Sequence, residues 1–277
     1  MAAFAVLAAA CGGEDKRDSL TATDPGPIHV HGLGINPKDG ALFIATHTGL
    51  FRAAPGDPTA RRVGGRYQDT MGFSVIGPDR FLGSGHPDTR DDLPPFLGLI
   101  ESTDAGRSWR AISRQGKSDF HVLEAAASHV YGFGSDFETR KPQFLASVDG
   151  GKTWQERAVP EPLISLALGP RDPDRLIASG ERALYESEDG GRRWQKLTDG
   201  AGAVAWPVAE RLYLIGGDGG VKVSRNRGRT WEARGQVGGQ PAAFEAEAAE
   251  DLYVALHDGT VKRSTDGGRS WRVRSTP

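Results

Sequence analysis

The feature that most constrains the fold of this chain is an eight-residue pattern, Ser-x-Asp-x-Gly-x-x-Trp, which occurs five times. The copies are Ser102–Trp109, Ser147–Trp154, Ser187–Trp194, Ser224–Trp231 and Ser264–Trp271, and their third positions are Asp104, Asp149, Asp189, Asn226 and Asp266. Successive third positions lie 37 to 45 residues apart. A period of about 40 residues is the length of one four-stranded unit, so the pattern predicts a repeated all-β architecture.

The residue types of this pattern are those of a tight turn. An Asp side chain accepts hydrogen bonds from backbone amides further along the turn, Gly adopts positive φ, and a short hydroxyl caps the same loop. The Trp that follows opens the next strand, where its ring can bury a large apolar surface against the hairpin. Five of the six tryptophans lie in these copies. We therefore interpret the third-position residues as structural and not as catalytic.

With these motifs the chain resembles the BNR, or Asp-box, β-propellers, which include sialidases, sortilin-type receptors and photosystem II assembly factors. The resemblance extends to bacterial glycosyl-hydrolase-like lipoproteins of the sialidase superfamily and covers nearly everything from about residue 28 to the C-terminus. It implies that each box lies in the turn between the third and fourth strands of a blade, away from the ligand face. The resemblance thus implies architecture more directly than activity.

Composition agrees with a compact β protein. The chain has 277 residues, and its 38 glycines and 17 prolines fall between short apolar runs, as turns between strands do. The formal net charge is −2, from 34 basic and 36 acidic residues. This balance offers no electrostatic basis for binding nucleic acid.

The apolar runs define six units of four strands, named A to D from the axis outwards. The first unit, which has no box, uses His29–Ile35, Ala41–Thr46, Gly49–Ala53 and Arg61–Gly65, and each later unit contains one box. The sequence therefore predicts an all-β, six-bladed β-propeller of four-stranded antiparallel blades over residues 28–277, with Asp-box turns between strands C and D. No strand exchange between the termini is evident from the sequence.

The N-terminal segment predicts lipidation. Residues 1–10 are apolar and end in small residues, Cys11 is the only cysteine, and a polar segment begins at Gly12. This resembles a bacterial lipoprotein signal in which Leu7–Cys11 is the lipobox and Cys11 is the lipidated residue. We expect residues 1–10 to be the signal segment, 11–27 a flexible tether, and the protein to be anchored extracytoplasmically in the bacterial cell envelope. The alternative is an ordinary frayed N-terminus.

Propeller topology distributes the histidines between two faces. The D-to-A and B-to-C connections share one face, and the A-to-B and C-to-D turns share the other. Because the boxes are C-to-D turns, they mark the bottom face. Six of the seven histidines then belong to the top face, namely His29, His31, His47, His86, His121 and His257.

The top face is therefore the predicted functional face. Its longest B-to-C loop, Ser84–Pro95, is polar and rich in carboxylates, as functional loops often are. The candidate ligand-binding residues are His29, His31, His47, His86, Asp88, Arg90, Asp91, Asp92 and His121. Within this set, His29, His31, His86 and His121, with one carboxylate from Asp88, Asp91 or Asp92, would suit zinc or copper. A non-metal ligand or a protein partner on this face, and purely structural histidines, remain the alternatives.

A glycoside hydrolase is the competing function. Sialidase chemistry, which the resemblance implies, needs three arginines on the substrate carboxylate and a Tyr nucleophile activated by Glu. Arg90, Arg140 and Arg182 could reach the top face, and Glu245 and Glu247 could face the channel. Neither the arginine triad nor the Tyr/Glu pair can be identified from the sequence. Catalysis is therefore left open.

Overall fold

The computed structural model describes residue 24 and residues 26–277. Cys11, the predicted signal segment 1–10 and all but the last residues of the predicted tether lie outside the described residues. Over the described part of the chain, no helix has the length and apolar character needed to cross a membrane.

The described residues form 24 strands in six sheets of four. The inner strands A are β1 (Val30–Ile35), β5 (Asp69–Gly77), β9 (Ser118–Ala126), β13 (Leu163–Gly169), β17 (Ala203–Val208) and β21 (Pro241–Ala246). The B strands are β2 (Leu42–Thr46), β6 (Arg80–His86), β10 (His129–Asp136), β14 (Asp172–Gly180), β18 (Arg211–Ile215) and β22 (Leu252–Leu256). The C strands are β3 (Gly49–Ala53), β7 (Leu99–Ser102), β11 (Pro142–Ser147), β15 (Ala183–Ser187), β19 (Gly220–Ser224) and β23 (Val261–Ser264). The outer strands D are β4 (Arg61–Arg62), β8 (Arg110–Ser113), β12 (Gln155–Arg157), β16 (Gln195–Asp199), β20 (Glu232–Gln236) and β24 (Arg272–Ser275).

The inner strands are arranged in a closed ring. Each contacts the inner strand of the next blade, in the order β1, β5, β9, β13, β17, β21, and β21 contacts β1. All strand pairs within the sheets are antiparallel, and each sheet runs A-B-C-D. The predicted six-bladed propeller is thus confirmed.

The apolar core lies between the blades. Six clusters of buried side chains occupy the described residues, and each combines side chains from two neighbouring blades. Between the first two blades, the rings of Phe43 and Phe81 meet edge to face with centroids 4.7 Å apart, and both are fully buried. Complete burial of such a side chain stabilises the fold by about 1.5–3 kcal/mol. The alternating apolar residues of the B strands therefore join blade to blade.

The repeated turns have the predicted position between strands C and D. In the last copy, the Ser264 hydroxyl donates to Asp266 Oδ1 at 2.7 Å, and the Gly268 amide donates to Ser264 Oγ at 2.9 Å. Gly268 has a φ angle of 84°, which glycine adopts without steric cost, and this explains why a glycine occupies the position. The amide of Gly267 also donates to the carbonyl of Glu250, in the A-to-B turn of the same blade, at 3.1 Å. The boxes and the A-to-B turns therefore share the bottom face.

The ring is closed by the C-terminal end of blade six against a loop of blade one. Thr276 forms an isolated parallel bridge with Thr59. Arg274 donates from Nη1 to the carbonyl of Asp57 at 2.6 Å and from Nη2 to the carbonyl of Ala54 at 2.7 Å. Closure thus uses a C-to-D loop and a guanidinium, with every blade keeping its own four strands.

Candidate functional site

A β-bulge interrupts the inner strand near the top of five blades. The residues left without a ladder partner at these bulges are His31, Met71, His121, Ile164 and Ala242. They line one cavity at the top of the central channel, together with Ala203 of the remaining blade. A bulge re-aims a side chain, so five blades contribute their bulged residue to this ring, and blade five contributes Ala203, which is paired with Ile215. We call these six residues the bulge ring.

The bulge ring has two chemically different halves. The first three blades contribute two imidazoles and a thioether, from His31, Met71 and His121, whereas the other three contribute only aliphatic side chains. Within the bulge ring, the side chains able to bind a metal therefore belong to the first three blades.

A group of two imidazoles and a carboxylate spans blades one and two. His47 Nδ1 lies 2.9 Å from Asp69 Oδ2, and His31 Nε2 lies 3.6 Å from Asp69 Oδ1. One potential ligand atom from each residue lies within 4.8 Å of the others. Among the described residues, neither His31 Nε2 nor Asp69 Oδ1 has a hydrogen-bond partner, although both atoms are buried. We call His31, His47 and Asp69 the first cluster.

Burial controls the protonation of the first cluster. It lowers the pKa of His31 to about 4, and the nearby imidazoles of His47, His121 and His29 act in the same direction. Burial also raises the pKa of Asp69, an effect opposed by the charge and hydrogen bond of His47. His31 is therefore a neutral imidazole at neutral pH, which is the form that binds metals.

A second cluster, His86, Asp119 and His121, spans blades two and three. Asp119 is buried, and its Oδ2 lies 2.9 Å from His121 Nε2 and 3.4 Å from His86 Nε2. Burial raises the pKa of Asp119, but the hydrogen bonds from His121 and His86 outweigh this and lower it overall. His86 Nδ1 also lies 2.8 Å from the carbonyl of Pro95, which can only accept. The hydrogen bond to Asp119 raises the pKa of His86 to about 9.

The two clusters are related by the blade repeat. His47 follows strand B of blade one, and His86 ends strand B of blade two. Asp69 and Asp119 lie at the start of the inner strand of the next blade in each case. The bulge residue of the first cluster is His31, and the equivalent bulge residue of blade two is Met71. The same arrangement therefore occurs twice, and in the second copy Met71 stands where the first copy has the imidazole of His31.

His29 differs from its predicted setting. The predicted strand His29–Ile35 begins one residue later, at Val30, because His29 has a positive φ of 52° and stands outside the ladder. Its ring centroid lies 6.1 Å from that of His47, and its side chain is exposed. His29 is thus adjacent to the first cluster without contacting Asp69.

The carboxylates of the loop Ser84–Pro95 are engaged away from the histidines. Asp88 is buried and accepts from the guanidinium of Arg90 and, at 2.8 Å, from the amide of Tyr67. Asp91 pairs with Arg66, and Asp92 is exposed. The expectation that one of these acids joins the histidines therefore needs correction, since the carboxylates in contact with them are Asp69 and Asp119.

Sequence reasoning missed those two aspartates, although a signal was present. His29-x-His31, Asp69-x-Met71 and Asp119-x-His121 occupy equivalent positions at the start of three successive inner strands. Comparing the blades residue by residue would have identified both acids.

Two glutamates lie deeper in the channel. Glu124 of β9 and Glu245 of β21, on opposite blades, line three adjoining axial cavities. Burial raises the pKa of Glu124 well above its ordinary value and that of Glu245 to about 7. Glu247 lines one of these cavities. Within residues 26–277, none of the three cavities is lined by arginine or tyrosine.

The candidate arginines of a sialidase site are directed elsewhere. Arg182 contacts Glu161 Oε2 at 3.1 Å, and Arg140 lies over the ring of Phe137. Arg90 pairs with Asp88. The three guanidinium groups therefore have separate partners and do not meet at the axis.

Fold and site together define a six-bladed β-propeller with a histidine-rich channel mouth. The sequence profile of the Sortilin-Vps10 family (Sortilin, neurotensin receptor 3) matches residues 98–215, less than half of the chain. The uncharacterized protein YkuO of Bacillus subtilis (strain 168) is 29% identical over 112 residues, which are 40% of this chain and 36% of YkuO. This chain therefore aligns with only about a third of that relative.

Solved structures show the same fold at low identity. YCF48 bound to D1 peptide superposes with a TM-score of 0.57 at 15% identity, covering 90% of this chain and 82% of that one. A gluconolactonase from Xanthomonas campestris gives 0.63 at 15% identity, over 81% and 82% of the two chains. A luciferin-regenerating enzyme gives 0.64 at 13% identity, over 91% and 94%. These similarities establish the propeller architecture alone.

Proposed function

We propose that this protein is a binding propeller that holds a divalent transition metal, zinc or copper, on its top face through His31, His47 and Asp69. The observation that carries the proposal is the convergence of two imidazoles and a carboxylate from two blades, with ligand atoms within 4.8 Å of one another. Zinc and copper both take imidazole nitrogen and carboxylate oxygen as ligands.

The state of the ligand atoms supports this choice. His31 Nε2 and Asp69 Oδ1 are buried, face each other at 3.6 Å, and have no hydrogen-bond partner among the described residues. Leaving buried polar atoms unpaired is costly, and a cation between them would satisfy both. His47 is largely exposed, so a metal held here would keep a position open to solvent or to a ligand.

The lining of the channel gives the glycoside hydrolase alternative less support. The three adjoining axial cavities have volumes of about 100 to 320 Å³, and Glu124 and Glu245 line all of them. The glycoside hydrolase alternative would further need arginines near the axis, and none lines the axial cavities within residues 26–277. A partner seated over the metal remains compatible with this proposal, since the similar propeller YCF48 was solved bound to D1 peptide.

Zinc titration of the full chain and three variants tests the proposal. The wild type should bind one equivalent, and Asp69→Asn and His47→Ala should each weaken binding by about 10–100-fold or more. His129→Ala is the matched control, because His129 lies on the bottom face near Asp174. Equal affinity in all four proteins, or no tight binding of zinc or copper(II) to the wild type, would overturn the proposal.

We also propose that the propeller is lipid-anchored to the bacterial envelope through Cys11, with residues 11–27 as its tether. The support is the lipobox-like segment Leu7–Cys11. Expression with a labelled fatty acid should place the label on the wild type and not on Cys11→Ala. A variant that stays in the membrane fraction as fully as the wild type would contradict this anchor.

A further inference from the structure

We propose that His31, Met71 and His121 form a softer metal site that binds Cu(I), so that the metal of this protein is copper. The inference rests on the proposed function, because His31 belongs to both donor sets. It adds the metal's identity and two ligands, Met71 and His121, that the first cluster does not contain.

Backbone geometry places the three donors around one cavity. Each is the bulged residue of its inner strand, at the same position in three consecutive blades. All three line the same cavity at the channel mouth. Since the bulge re-aims a side chain away from the regular pleat, the repeated bulge supplies a common cause for their position at this cavity. The arrangement therefore follows from the blade repeat and not from one loop conformation.

The donor types select the metal. Thioether sulfur is a soft ligand that favours Cu(I), and imidazole also binds copper. Zinc takes thiolate, imidazole and carboxylate ligands. Met71 stands in blade two where blade one has His31, so the ring offers two nitrogens and one sulfur. The first cluster, with two nitrogens and one oxygen, suits Cu(II) or zinc.

The other half of the bulge ring offers no competing donor. Ile164, Ala203 and Ala242 face the same cavity with aliphatic side chains. Glu124 and Glu245 also line this cavity but lie deeper in the channel, so it is the rim opposite the three donors that is aliphatic. Ile164 and Ala242 also show that an aliphatic side chain fits the bulge position, which makes Met71→Leu a conservative test.

Packing alone does not account for Met71. Methionine is a common gap filler in apolar cores, but the described cores of this propeller lie between the blades, and none of the six includes Met71. Its side chain is half-buried at the channel mouth between His31 and His121. That position gives the thioether access to an ion entering from the top face.

The test measures Cu(I) and Zn(II) affinity separately in the full chain. All proteins carry Cys11→Ser, which removes the only thiol. Cu(I) is titrated without oxygen against a chromophoric Cu(I) chelator, and Zn(II) against a zinc indicator. Met71→Leu should weaken Cu(I) binding by about tenfold or more and leave Zn(II) binding unchanged. Asp69→Asn should do the reverse, and His31→Ala should weaken both.

Two further measurements guard against a folding artefact. His121→Ala, at an exposed position, should also weaken Cu(I) binding without affecting Zn(II). X-ray absorption at the copper edge should show a sulfur ligand in the wild type that is lost in Met71→Leu. Unchanged Cu(I) affinity in Met71→Leu and His121→Ala, or a Cu(I) spectrum without sulfur, would overturn the inference. If zinc binding still depended on Asp69 after such a result, the proposed function of the first cluster would stand and only the Cu(I) site would be rejected.

Discussion

His31 Nε2 and Asp69 Oδ1 lie 3.6 Å apart across the boundary between the first two blades, and neither atom has a hydrogen-bond partner among the described residues. Both residues are well shielded from water, so each polar atom loses hydration on folding without gaining a protein partner. If the first cluster is the proposed metal site, such a pair lowers the stability of the metal-free fold and favours binding of a cation. Function and stability are therefore expected to oppose each other at this position.

Asp69→Asn should separate these two effects. A folded-state pKa that is raised, as for Asp69, means that the carboxyl stabilises the fold below its unfolded-state pKa and costs stability once the pH rises through the folded-state value. At pH 7 the metal-free variant should therefore be as stable as the wild type or more stable. Calorimetry with a chelator present measures this.

Asp79→Asn is the matched control for that experiment. Asp79 accepts from Asn36 and Lys38, and the Lys38 hydrogen bond lowers its pKa. The ionised Asp79 carboxylate stabilises the fold above its unfolded-state pKa, and this stabilisation is lost as the pH falls through the folded-state pKa. Asp79→Asn should therefore lower the unfolding temperature at pH 7. A large loss of stability in metal-free Asp69→Asn would contradict the interpretation of the first cluster.

The box turns should tolerate Asn better than Ala. Asp266 accepts from the amide and the hydroxyl of Ser270 and from the hydroxyl of Ser264. In the fifth blade, Asn226 keeps the contact with the Thr230 amide and donates to the Thr230 hydroxyl. Asp266→Ala should therefore cost about 1–3 kcal/mol and Asp266→Asn clearly less. Urea unfolding of both variants checks this, and equal losses would be inconsistent with the hydrogen-bonding account.

His86 should stay protonated at neutral pH. Its hydrogen bond to Asp119 raises its pKa to about 9, so the stabilisation is fully present below its unfolded-state pKa of about 6.5 and is lost as the pH rises through 9. Asp119→Asn should move the NMR titration of His86 down by more than one pH unit. The His129 resonance, on the opposite face, serves as the control. A His86 titration midpoint that does not change would disprove this coupling.

Arg274 should control the stability of the closed ring. Its guanidinium donates to the carbonyls of Asp57 and Ala54, which joins blade six to blade one. Arg274→Ala should cost about 1.5–3 kcal/mol, the range for hydrogen bonds to a charged group. Arg272→Ala, at an exposed position in the same strand, should be nearly neutral. Thermal unfolding compares the two, and an equal effect would exclude a special role in closure.

Much of the architecture could be predicted from the sequence because it is encoded locally. The box at Ser264–Trp271 and its four relatives specify a turn through residues within eight positions of one another, and their period specifies the blade. Once the boxes mark one face, the up-and-down order of the strands assigns six of the seven histidines to the other face. That is why the blade count, the strand order and the placement of the boxes between strands C and D were all accessible before the structure.

The composition of the site depended on contacts between blades, which no local pattern specifies. The sequence indicated His31 and His121, but it favoured the loop acids Asp88, Asp91 and Asp92, of which Asp88 pairs with Arg90 and Asp91 with Arg66. Only the folded ring shows that Asp69 of blade two faces His31 of blade one, because that distance depends on blade packing and on a bulge at His31. Local residue types therefore determined the propeller, whereas the curvature of the closed ring decided which side chains meet.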